Sequence, residues 1–133
     1  MSKDNVELVG ATFEAFGDGG FESMLPFFPD DVVWYPGPEW VEDVVHHGHE
    51  GVRQMSATFT ENFDALELSP CEMRDLGDRV LVLAEANARI KGTETPIRQA
   101  YAMVYSDFRD GKIGEVRFYF SWEEGLERCG LAA

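Results

Sequence analysis

The sequence predicts an α+β fold in which helices cover a curved antiparallel sheet, and three observations carry that expectation. Apolar residues recur at helical spacing up to about residue 63. They alternate with a period of two from Leu66 onward, and the breaks between the alternating runs have hairpin chemistry. At 133 residues the chain has the length of one domain, spanning 1–133.

The first helix is expected from Asn5 to Phe16, where Val6, Val9, Phe13 and Phe16 share a face and Asp4 with Glu7 forms a capping-box pattern. Gly17, Gly19 and Gly20 end it. Phe21, Met24, Leu25 and Phe28 suggest a short second helix, with Pro26 in its first turn and Pro29 closing it. Val32 to Tyr35 reads as a short strand broken by Pro36-Gly37-Pro38. A loop then runs to Gly48, before a third helix striped by Val52, Met55, Phe59 and Phe63.

Leu66–Asp75, Arg79–Ile90, Pro96–Phe108 and Lys112–Phe120 read as four strands, with turns at Gly77-Asp78, Lys91–Glu94 and Asp110-Gly111. Ser121 and Glu124 cap a short closing helix, Trp122 to Cys129. The helices are expected on one face of the resulting sheet.

Alternation within the strands suggests what lines the interior. Val116, Phe118 and Phe120 share the helix-facing side of the last strand, opposite Glu115, Arg117 and Tyr119. Two strands have a small-residue face: Ala84, Ala86 and Ala88 in one, and Ala100, Ala102 and Val104 in the next. Small residues on a concave face leave a hollow, so an apolar cavity is expected. Its expected ligand-binding residues are Trp34, Trp40, Met55, Phe59, Val104, Phe118 and Phe120. The same reading turns Tyr101, Met103, Tyr105 and Tyr119 outward as an aromatic patch, which predicts a homodimer through the outer sheet face.

Composition narrows the function classes. Net charge is −14; residues 1–78 hold 17 acidic and 3 basic side chains, and residues 79–133 hold 8 of each. Without a Lys/Arg cluster, neither nucleic acid nor an anionic membrane is an expected partner. No apolar run approaches the roughly 18–20 residues of a membrane span, and the Met1-Ser2-Lys3-Asp4 start lacks the pattern of a signal peptide, so a cytoplasmic location is expected. Cys71 and Cys129 have no CxxC spacing and read as reduced thiols.

Polar candidates gather between the first strand and the third helix: Glu39, Trp40, Glu42, Asp43, His46, His47, His49 and Glu50. The three histidines straddle a Gly at a loop-to-helix junction instead of lying at i and i+4, so no metal is expected, and capping or solvent-facing roles suit them. Glu39 and His47 remain the acid/base candidates. Ser121 is explained by its cap, and Glu85 and Arg89 by cross-strand contacts. No cofactor is implied.

Several segments together resemble a known family. Asp30-Asp31-Val32-Val33-Trp34, His47-Gly48-His49-Glu50-Gly51-Val52-Arg53, Arg109-Asp110-Gly111-Lys112-Ile113 and Arg117-Phe118-Tyr119-Phe120 are similar, in order and context, to the SnoaL-like group of the nuclear transport factor 2-like cone fold. That resemblance implies a cone of curved sheet over helices. It also implies a choice of activities, from ketosteroid isomerases, polyketide cyclases and epoxide hydrolases to proteins that only bind. The isomerases carry a Tyr in the first helix, a base Asp after the first strand and a protonated Asp in the next-to-last strand, where this chain has Thr12, Pro36 and Val104. Cyclases and epoxide hydrolases use a carboxylate in the final strand, where Phe118 stands. The expectation is therefore a small hydrophobic molecule held in an apolar cavity; the alternative is an isomerase, polyketide-cyclase-like or epoxide-hydrolase-like enzyme using loop carboxylates or a histidine.

Overall fold

Six strands form one sheet in the order β2-β1-β6-β5-β4-β3 among the described residues; the computed structural model describes residues 2–35 and 45–131. The strands are β1 Val33–Tyr35, β2 His46–His47, β3 Phe63–Asp75, β4 Val80–Ile90, β5 Pro96–Arg109 and β6 Lys112–Tyr119. β3 to β6 form the expected antiparallel meander. β1 adds to it in parallel, Trp34 beside Val116, and the two-residue β2 pairs antiparallel with β1. Neither the parallel pairing nor β2 is among the sequence expectations, because pairs this short leave no periodic signal. The sheet is curved and unclosed, with the N-terminal helices in its concave face, as the α+β cone reading expects.

Helix α1 covers Ser2–Gly19, and the Gly20 N–H closes it on the Phe16 carbonyl at 2.8 Å. Asp4 lies in its first turn, not at a cap. Phe21–Phe27 is a 3₁₀ helix with Pro26 near its end, a placement the short i+3 geometry tolerates where an α-helix would not. Helix α2 spans Gly48–Asn62 and buries Val52 and Met55. Phe63, expected on the same stripe, instead opens β3.

Two cores result, one on each side of the sheet. The larger joins α1, the 3₁₀ segment and α2 to the concave face through Val9, Phe13, Phe28, Trp34, Val82 and Val116, among others. The smaller lies on the opposite face, where Leu81, Leu83, Ala102 and Val104 pack beneath Leu126 of α3, Trp122–Arg128. The closing helix therefore does not join the other helices. The Ser121 hydroxyl caps it by accepting from the Glu124 N–H at 3.0 Å, and the Trp122 indole N–H donates to the Ala84 carbonyl at 2.9 Å.

This arrangement corrects the expected facing of β5. Tyr101, Met103 and Tyr105 are buried in the concave core, while Ala102 and Val104 face α3. Directly paired antiparallel residues share a face, and the register sets Ala84 opposite Tyr101, Val82 opposite Met103 and Val80 opposite Tyr105. Sorting β5 by side-chain size instead of by its neighbour turns every residue to the wrong side. Of the four residues expected to form an outer aromatic patch, Tyr119 alone packs with the outer core.

Candidate functional site

The alanine face of β4 is inward as expected, and it opens a cavity of about 250 Å³ between sheet and helices. Along β4 the inward side chains shrink from Val80 and Val82 to Ala84, Ala86 and Ala88, which stand opposite Tyr101, Gln99 and Ile97 of β5. Helices that rest on the valine end cannot also fill the space over three methyl groups. Thr12, Phe13 and Phe16 of α1 close one side, Phe21 and Met24 of the 3₁₀ segment and Met55 and Phe59 of α2 another. Trp34, His46 and Phe118 complete the wall from β1, β2 and β6, with Phe120 just beyond the end of β6.

Much of that wall is an aromatic chain. Phe16 meets Phe21 edge-on at 4.8 Å between centroids, and Phe21 stacks on Phe59 at 5.7 Å. Across the cavity, Phe118 lies 5.4 Å from Trp34 and 6.0 Å from Tyr101, and Phe28 in the core backs Trp34 edge-on at 5.5 Å. Rings held on several sides present a preformed apolar surface.

Besides Tyr35 and His46, the polar groups in the wall fall into two sets. Three are engaged: the Thr12 hydroxyl donates to the Val9 carbonyl at 2.6 Å, the Tyr105 hydroxyl to the Met103 sulfur at 3.4 Å, and the Gln99 amide to the carbonyls of Ala100 and Phe120. Two are not: the indole nitrogen of Trp34 and the hydroxyl of Tyr101 are buried with no hydrogen-bond partner among the described residues. Burial pushes the Tyr101 and Tyr105 hydroxyls well above the ordinary phenol range, so both stay protonated. Among the described residues no carboxylate lines the cavity, and His46 supplies its imidazole.

His46 is set there by backbone approach. It is the cross-strand partner of Trp34, and Gly51 in the first turn of α2 packs so closely on it that an added Cβ would stand 2.8 Å from the His46 carbonyl carbon. Alternation then turns His47 out to solvent. The His49 ring nitrogen Nε2 bonds the Phe28 carbonyl at 2.8 Å, and Glu50 pairs with Arg53 on the surface at 3.8 Å.

The expected ligand-binding residues thus divide. Trp34, Met55, Phe59, Phe118 and Phe120 line the cavity. Val104 does not: it lies behind the sheet against α3. Glu39, Trp40, Glu42, Asp43 and Pro36 lie outside the described residues. His47, one of the two acid/base candidates, is exposed and on the wrong side of β2. Of the isomerase-matched positions, Thr12 lines the wall with its hydroxyl already bonded to its own helix. Glu85 pairs across strands with Arg98 at 2.6 Å and not with Arg89.

A model of the SnoaL-like domain matches residues 9–116, which takes in the helices and strands that build the cavity except the start of α1 and the end of β6. The chain belongs to the SnoaL-like domain family. Solved structures agree on the fold. A nuclear transport factor 2-like protein from Burkholderia xenovorans is 26% identical, with 97% of each chain covered and a TM-score of 0.71. A protein of ketosteroid isomerase-like fold from Catenulispora acidiphila, solved with trimethylamine, is 21% identical over 94% of this chain and 93% of that one, at a TM-score of 0.74. TerC, co-crystallised with polyporic acid, is 23% identical over 96% of this chain and 98% of its own, at 0.76. No curated protein matches the sequence significantly.

In this SnoaL-like chain, His46, Tyr101 and Gln99 are among the wall residues that fall outside the sequence-expected set. His46 stood in the sequence among the loop candidates, and the signal that singles it out is alternation through Trp34's partner strand. Tyr101 and Gln99 required the β4–β5 register. Among the described residues no three His, Cys, Asp or Glu side chains come together as a metal site, and no helix is long and apolar enough to cross a membrane.

Proposed function

We propose that this SnoaL-like protein binds a small hydrophobic molecule reversibly in the cavity between sheet and helices. The observation that carries the reading is the cavity itself, about 250 Å³ walled largely by apolar and aromatic side chains. A dry apolar cavity of about 150 Å³ takes up benzene, so this one suits a molecule of about two rings. Proteins of the same fold crystallised with trimethylamine and with polyporic acid support a small-molecule role for the fold. The test is native mass spectrometry of the purified protein for a retained molecule, followed by titration with a neutral naphthalene dye. Saturable uptake at one site per chain is expected; absence of uptake at any concentration overturns the reading.

One observation favours a second reading. His46 brings an imidazole, the side chain most suited to proton transfer near neutral pH, into the wall beside Trp34. An acid/base enzyme of the isomerase, cyclase or epoxide-hydrolase type would then use His46 in place of the exposed His47. Turnover of an epoxide, a ketosteroid or a cyclisable polyketide, lost about 100-fold or more in His46→Ala and retained in His47→Ala, would establish it. Binding without turnover leaves the first reading in place.

A further inference from the structure

We infer that the cavity takes a compact organic cation, a quaternary ammonium group with apolar substituents, held by the faces of its aromatic rings and by the negative field of the chain. The inference rests on the cavity-binding reading and adds the charge of the ligand. Half of the described wall residues are phenylalanine, tyrosine or tryptophan. Phe13, Phe16 and Phe21, although in the core, keep 8–9% of their surface accessible, and Phe59, Phe118 and Phe120 are half-buried. These six rings reach the cavity from α1, the 3₁₀ segment, α2 and the end of the sheet, so a guest meets accessible ring surface on several sides. The face of each ring carries the negative part of its quadrupole, which attracts a cation and above all a quaternary ammonium group.

Two further observations set the sign of the charge and the kind of cation. The whole acidic excess of the chain lies in residues 1–78, with 17 acidic and 3 basic side chains, the part that supplies every helix of the wall, while residues 79–133 balance at 8 of each. No lysine or arginine lines the cavity among the described residues. Low-dielectric walls carry such a field inward, so a cation is drawn in and an anion repelled. The wall also offers a guest few hydrogen bonds: the Thr12 and Tyr105 hydroxyls and the Gln99 amide are committed to protein acceptors, and the Trp34 nitrogen and Tyr101 hydroxyl are sealed from the cavity. A primary ammonium would enter with its N–H donors unpaired, which is costly. A quaternary ammonium has no N–H and spreads its charge over its alkyl groups, so it needs from the wall only ring faces and contact.

Two probes of the same shape test the inference: phenyltrimethylammonium, and tert-butylbenzene, in which carbon replaces the charged nitrogen. Affinities for both are measured by dye displacement on the wild type, Phe59→Leu and Phe118→Leu, with circular dichroism as the check on folding. Water holds the ion far more strongly than the hydrocarbon, so a cation bound as tightly as the hydrocarbon, or within about 10-fold of it, shows that the cavity compensates the charge. The ratio of cation to hydrocarbon affinity is expected to fall about 5-fold or more in each leucine variant, where a ring face is lost and an apolar side chain kept. The ratio is insensitive to any general loosening of the pocket. Raising sodium chloride from about 20 to about 300 mM is expected to weaken the cation about 3-fold and leave the hydrocarbon unchanged, because salt screens the field of the surface carboxylates. A cation bound more than about 10-fold more weakly than the hydrocarbon, or a ratio that neither substitution nor salt moves, overturns the inference and leaves the cavity reading intact. Failure of both probes to bind the folded wild type overturns the two together.

Discussion

Gly125 of α3 rests on the methyl group of Ala102, so closely that a Cβ at residue 125 would overlap the Ala102 Cβ. The contact fixes the closing helix on the convex face of the sheet. Gly125→Ala gains helix propensity of up to about 1 kcal/mol, but the overlap is between two stiff Cβ positions, and overpacking of this kind costs typically 1–3 kcal/mol. Net destabilisation is expected by urea denaturation. Combining it with Ala102→Gly removes the overlap, so the double variant should recover part of the loss. If the two changes are simply additive, the helix does not seat where it is described.

A matched pair of substitutions on neighbouring strands separates the two faces. Ala86 lines the cavity, and Ala102 lies beneath α3. Ala86→Phe is expected to fill the hollow and weaken uptake of a naphthalene dye about 10-fold or more, equivalent to at least 1.4 kcal/mol, with the fold retained. Ala102→Phe should instead displace α3 and lower the melting temperature, with dye uptake persisting in the protein that stays folded. The opposite pattern would return Ala102 to the concave face.

That pair marks the limit of what the sequence made legible. The helical stripes, the four long strands, the Ser121 cap and the inward face of β6 could all be read, because each is a local pattern of period 3.6 or 2 or a capping motif. The facing of β5 could not. It depends on register with β4, and a slip of one residue in the Lys91–Glu94 turn exchanges Tyr101 with Ala102. Small size pointed to the cavity on β4, where Ala86 and Ala88 do line it and Ala84 packs in the concave core, and misled on β5, where Ala102 is small because α3 crosses it. His46 and His47 differ by one position in the chain and by a whole sheet face in space. Only the pairing of β2 with β1 distinguishes them.

Alkaline pH should unfold the protein by way of its buried phenols. Burial raises the Tyr105 hydroxyl well above its ordinary value, with Tyr101 acting in the same direction and a hydrogen bond with Thr12 opposing; Tyr101 is raised mainly by burial as well. Below about pH 10 both are protonated in the folded and unfolded chains and contribute no pH dependence. Above it the unfolded chain releases protons that the folded one retains, so stability falls by about 1.4 kcal/mol per pH unit for each such tyrosine. Urea midpoints measured from pH 8 to 12 should decline from about pH 10, with a shallower decline in Tyr105→Phe. A slope unaffected by that substitution would mean that Tyr105 ionises freely in the native state.

Tyr101→Phe should make the unliganded protein more stable. Replacing a buried tyrosine by phenylalanine ordinarily removes a hydrogen bond and costs about 1 kcal/mol. Here the hydroxyl is buried without a partner among the described residues, so its removal deletes a desolvated donor and leaves the ring packed against Phe118. The expected gain is roughly 1 kcal/mol, within the range assigned to an unsatisfied buried polar group, read as a higher urea midpoint with an unchanged denaturant slope. Tyr105→Phe is the control, because its hydroxyl bonds the Met103 sulfur and its loss should not stabilise. A loss of stability in Tyr101→Phe equal to that in Tyr105→Phe would show that the Tyr101 hydroxyl is satisfied in solution.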